Sequence, residues 1–194
     1  TCIIGSLITE QASRQIVLKD IPTAETSQNG DDEKILLPVK YPETAETLLS
    51  LALLIRNQKL NRGLVGLNVV FDDDKRLKGQ QRGKALLDRL ERMASAADVR
   101  MQTQVRIATN IANGIKHAFK EFNASEIIMG MHIHKEISKK FWGEFIQSLF
   151  NGLNRQIIII RCPHPLNTIR RIQVAVPSRA EFEPGFHRWL ERIT

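Results

Sequence analysis

Apolar positions along the middle of the chain alternate between two periods. Residues 35–39 (ILLPV) form a short apolar run, and residues 64–71 (LVGLNVVF) a longer one. Residues 101–107 alternate polar and apolar, as an outer strand does, and residues 126–129 (EIIM) and 157–160 (four isoleucines) close the set. Between these runs the spacing is helical. Leu48, Leu49, Leu51, Ala52, Leu53, Leu54 and Ile55 fill a largely buried helix over 44–56. Leu86, Leu87, Leu90, Met93, Ala94 and Ala97 share one face of a helix over 79–97. Asn110 suits an N-cap, and Ile111, Ile115, Phe119 and Phe122 line the helical stripe that follows. Residues 145–153 (FIQSLFNGL) predict a further helix.

Strands alternating with helices, each strand almost continuously apolar, imply an α/β fold with a parallel sheet covered on both faces. Ligands of open parallel sheets sit at the carboxyl ends of the strands, where the strand order switches. Here those ends carry Val39, Lys40 and Tyr41 on the first strand, and Met129, Gly130, Met131, His132, Ile133 and His134 on the fourth. Gly143 lies thirteen residues after Gly130 and just ahead of the last predicted helix, with Glu144 and Phe145 next to it. Glycine permits close backbone approach, and helix N-termini attract phosphate.

These residues resemble the universal stress protein family, over residues 33–163. Members of that family end the first strand in an apolar–Pro–Val–Asp stretch. Their fourth strand ends in Met-Gly, followed by Gly, two residues, Gly, nine residues, Gly and Ser or Thr, a pattern that cradles the phosphates of ATP. Gly130 and Gly143 match its first and third glycines. Three positions depart: Ile133 replaces the second glycine, Glu144 the hydroxyl residue, and Lys40 the acid that contacts the nucleoside. The resemblance implies an open five-stranded parallel sheet in the order 3-2-1-4-5. It also implies a degenerate nucleotide pocket lined by Val39, Lys40, Met129, Gly130, His132, Gly143, Glu144 and Phe145. Ile133 places a β-branched side chain where backbone should meet phosphate. A carboxylate at a helix N-terminus favours the helix by about 0.3–1 kcal/mol and repels phosphate. No bound cofactor is therefore expected, neither ATP nor AMP.

The flanks extend the resemblance. Residues 171–178 (RIQVAVPS) parallel residues 34–41 (KILLPVKY) and look like the start of a second stress-protein repeat. Residues 172–176 accordingly predict a strand, and Phe186, Trp189, Leu190 and Ile193 a helix. Residues 1–20 are similar to the exit from the last membrane helix of bacterial sodium/proton antiporters, and residues 22–32 (PTAETSQNGDD) have linker composition. The organisation this implies is a membrane-exit segment and linker over 1–32, a stress-protein domain over 33–163, and a linker with a truncated second repeat over 164–194. The expected partners are the antiporter's membrane domain in the same polypeptide and a second copy meeting it at the fifth strand's edge. The expected place is the cytoplasmic face of the inner membrane.

Composition narrows the remaining classes. Hydrophobic residues make up 42% and charged residues 25% of 194, an ordinary globular balance. Lys and Arg exceed Asp and Glu by 28 to 21, giving a net charge of +7. The basic residues are not interleaved with aromatics, so a stacking platform for nucleic acid is not expected. Cys2 and Cys162 stand far apart without metal-ligand spacing. His132 and His134 lack a third ligand, and Asp72, Asp73 and Asp74 lack the EF-hand pattern, so no metal site is expected. Ser6, Ser125 and Ser148 have no nucleophile-elbow setting, and Phe141 and Trp142 read as packing residues. The resemblance therefore implies a non-catalytic regulatory or assembly module of a cation/proton antiporter. The alternative is a free-standing stress protein binding a nucleotide in a variant pocket, and a weak nucleotide hydrolase ranks last.

Overall fold

The computed structural model describes residues 33–131, 139–153, 155–162, 164–183 and 185–193. The proposed membrane-exit segment and linker lie outside the described residues. The elements run β1 (Glu33–Pro38), α1 (Pro42–Ile55), β2 (Asn61–Phe71), α2 (Arg76–Ala96), β3 (Met101–Ala108), α3 (Ile111–Glu121), β4 (Glu126–Gly130), α4 (Lys139–Phe150) and β5 (Gln156–Ile160). Two 3-10 turns, Leu166–Thr168 and Ala180–Phe182, and a short helix α5 (Phe186–Leu190) follow.

The five strands form one sheet in the order β3-β2-β1-β4-β5, and each described pairing is parallel. This is the predicted order, with β1 and β4 adjacent at the switch point. Successive residues of a strand face opposite sides, so the sheet feeds two cores. Ile35 and Leu37 pack with Leu48 and Leu49 of α1 and Leu86, Leu87 and Leu90 of α2. Leu36 faces the other way and packs with Ile115 and Phe119 of α3, Ile127 of β4 and Leu149 of α4. Each fully buried side chain of this size contributes about 1.5–3 kcal/mol.

Local chemistry sets the element ends. Pro42 occupies the first turn of α1, where its missing N–H costs nothing. The Asn110 side chain accepts from the Asn113 N–H at 3.1 Å and caps α3, as expected. Gly63 enters β2 with φ of +115°, and a Cβ there would lie 2.7 Å from the Arg100 carbonyl oxygen, so both conformation and space require glycine.

Two expectations are corrected. Residues 172–176 form no strand. Ile172, Val174 and Val176 are exposed, and among the described residues no strand pairs with this run. The last helix of the domain starts at Lys139 rather than Phe145 and ends at Phe150 rather than Leu153. It opens on Lys139 and Lys140, and Gly143 breaks the apolar pattern, which hides the start. Among the described residues no helix is long and apolar enough to cross a membrane.

Candidate functional site

The carboxyl ends of β1 and β4 lie on the same edge of the sheet, because the two strands are parallel neighbours. Val39 and Met129 are buried there, Gly130 is half-buried and Lys40 is exposed. The Lys40 ammonium stands 5.5 Å from the Tyr41 ring centroid, a cation–π distance, so it is turned onto its own neighbour. The Val39 N–H donates to the Leu67 carbonyl at 2.8 Å, and the Met131 N–H donates to the Ile160 carbonyl at 2.7 Å. Both strand ends are therefore held by backbone bonds to the adjacent strands.

One residue that sequence reasoning missed fixes this edge. Asn68 is buried in the middle of β2, and its side-chain amide donates to the Val39 carbonyl at 2.7 Å. Gly83 of α2 closes over it, since a Cβ at that glycine would lie 2.3 Å from the Asn68 Oδ1. The bond satisfies a carbonyl at the point where β1 leaves the sheet, which sets the path of Val39 and Lys40. The available signal was a single amide inside an apolar strand.

The other half of the predicted pocket is arranged differently from expectation. Gly143 and Glu144 are the fifth and sixth residues of α4, not residues at its N-terminus. The helix-dipole argument acts within the first turn, so it does not apply to Glu144. Glu144 is exposed, while Phe145 packs against the α3–α4 core. A Cβ at Gly143 would meet nothing within 4 Å, and one at Gly130 only Leu48 at 3.4 Å. Among the described residues neither glycine is demanded by packing. His132 and Ile133 lie outside the described residues, as does His134. Gly143→Ala is accordingly expected to stabilise the domain by about 0.5–1 kcal/mol, the usual penalty of glycine within a helix. Denaturant unfolding checks this, and a loss of stability would show that Gly143 does not behave as an ordinary helical position.

Asp72 and Asp73 take part in local turn chemistry. Asp72 pairs with Arg76 at 3.0 Å, and the Asp73 carboxylate accepts from the Lys75 N–H at 2.9 Å. Among the described residues no group of three or more His, Cys, Asp or Glu is placed to hold a metal ion.

A different charged cluster, unforeseen from the sequence, sits at the opposite end of the sheet. Glu33 opens β1 and Glu126 opens β4, and both are buried. Arg192, beyond α5, forms an ion pair with Glu33 and another with Glu126, the latter at 2.8 Å. Burial pushes the Glu126 carboxyl above its usual range, while Arg192 pulls it back.

No family model matches the chain. Among curated proteins the chain is 23% identical over 192 residues to the Na(+)/H(+) antiporter NhaS5 of Synechocystis sp., a match covering 89% of this chain. The chain spans 28% of that antiporter's length. Among solved structures it is similar to a universal stress protein family member from Burkholderia pseudomallei, at 19% identity and a TM-score of 0.54. That match covers 68% of this chain and 97% of the other. Universal stress protein UspA from Lactobacillus plantarum aligns at 16% identity and a TM-score of 0.55, covering 66% of this chain and 97% of the other. The fold is that of the universal stress proteins, and the same chain aligns over most of its length with part of a Na+/H+ antiporter.

Proposed function

We propose that the chain is a non-catalytic regulatory or assembly module on the cytoplasmic side of a cation/proton antiporter, with a nucleotide pocket that has lost its binding residues. The observation that carries this reading is the pairing of a stress-protein fold with an antiporter relative aligned over 89% of the chain. The transporting residues would then lie in the membrane part of the same polypeptide. Three features support an emptied pocket. Lys40 stands where the family pattern has an acid, Glu144 is an exposed carboxylate where it has a hydroxyl, and Ile133 replaces a glycine. An anionic phosphate would find neither a hydroxyl nor a helix N-terminus at Glu144.

In this reading the module senses a cytoplasmic state or holds protomers together. Self-association is assigned to β5, an edge strand whose five residues are all half-buried. Such an edge presents unpaired backbone groups and apolar side chains that proteins normally cover or pair. Transport measurements in inverted membrane vesicles test the proposal. Removing residues 33–193 from the antiporter should change its activity, its pH response or its oligomeric state. Unchanged values of all three would overturn the regulatory and assembly reading.

A second reading keeps one specific observation. The match spans 97% of the Burkholderia stress protein, so the domain has the extent of a whole stress protein. A free-standing stress protein with a variant pocket would bind a nucleotide despite Lys40 and Glu144, and would show no effect on transport.

A further inference from the structure

The end of the sheet where the strands begin carries a site that the nucleotide-pocket reading does not use. Glu33 is also held by neutral donors. The Asn57 N–H donates to its two carboxylate oxygens at 3.2 and 3.3 Å, and the Asn61 side-chain amide donates to Oε1 at 2.9 Å. Glu126 stands on the adjacent strand, its side chain fully buried. Between them lies the Arg192 guanidinium, itself only 9% exposed. Its Nη2 bonds both carboxylates, and its Nη1 donates to the Ile55 carbonyl at 3.1 Å. That carbonyl belongs to the last residue of α1, the negative end of the helix. Two carboxylates and a helix-terminal carbonyl thus converge on one planar cation. The Glu126 Oε2 is buried and has no hydrogen-bond partner among the described residues.

We propose that this end of the sheet is a guanidinium-binding site, and that Arg192 is its tethered occupant, making residues 164–193 a strap anchored through that side chain. The inference does not depend on the antiporter reading. Guanidinium fits better than ammonium because the contacts come from two nitrogens in a fixed fork, which a lysine head group cannot reproduce. The rest of the strap is mostly exposed, with Leu166, Phe186, Trp189 and Leu190 half-buried. Ile169, Ile172, Val174, Val176 and Phe182 are exposed along it, and Ala180 is its buried hydrophobic residue.

Hydrogen exchange on the whole chain tests the proposal. In E33Q/E126Q the carboxylates become neutral amides of the same shape, so the domain should stay folded. The amides of residues 186–193 should then exchange at least ten times faster, while β1 and β4 keep their protection. R192K should speed the same amides nearly as much. Unchanged exchange at 186–193 in the folded double variant would overturn the site. A second measurement uses the R192Q chain with a peptide of residues 185–194 followed through Trp189. The peptide should bind at least ten times tighter than the same peptide carrying R192Q. Equal binding of the two peptides would also overturn the proposal. If the R192Q chain does not fold, the exchange result alone decides.

Discussion

Replacing Arg192 with alanine is expected to lower the unfolding free energy by about 3 kcal/mol at neutral pH, the low end for breaking a buried ion pair. The reason is the company it leaves behind. Glu33 and Glu126 have side chains 3% and 0% exposed, and without Arg192 these like charges on adjacent strands lose the cation they share. The sign of the pH dependence follows from Glu126. Its carboxyl is raised by burial, opposed by Arg192, raised further by Glu33 and lowered by Arg188. A group whose pKa is higher in the folded chain favours folding below its unfolded value, and that contribution is lost as pH climbs through the raised value. Removing Arg192 raises Glu126 further. The deficit of R192A should therefore shrink as pH falls from about 7.5 to about 5, because the folded variant takes up a proton that the unfolded chain does not hold as tightly. Urea unfolding at several pH values measures it. A deficit that is small at neutral pH, or that grows on acidification, would contradict this account of the cluster.

The second large effect separates two leucines that look alike in the sequence. Leu49 and Leu54 both sit in the apolar run of α1, but Leu49 is fully buried and Leu54 is 74% exposed. Leu49→Ala should cost about 2–5 kcal/mol, the lost transfer energy plus the cavity left between α1 and the sheet. Leu54→Ala should change stability by no more than about 0.5 kcal/mol. Similar losses at both positions would mean that a further surface covers Leu54 in solution, and a second copy would be the first suspect.

That contrast marks where the sequence is readable. The layering was legible from period, since short apolar runs such as 126–129 and 157–160 alternate with helical stripes, whereas the strand order was implied by the resemblance to the universal stress proteins. The carboxyl ends of β1 and β4 were placed together by that implied order. The start of α4 was not legible, since Lys139 and Lys140 carry no apolar signal and Gly143 reads as a loop residue. Residues 172–176 have strand composition, but a strand needs a partner, and composition does not reveal whether one exists. Asn68 was visible as a polar interruption of β2, yet its bond to Val39 is a matter of three-dimensional register. The Glu33–Glu126–Arg192 cluster was the least legible. Glu126 and Arg192 are 66 residues apart, and each alone is an unremarkable charge.

The central claim is that the stress-protein fold persists here without its nucleotide chemistry. Isothermal titration calorimetry of the chain with ATP and magnesium tests it most directly. The account predicts no saturable binding tighter than about 100 µM, because Lys40, Ile133 and Glu144 replace the acid, the glycine and the hydroxyl. A dissociation constant near 1 µM or tighter, about −8 kcal/mol, would contradict it.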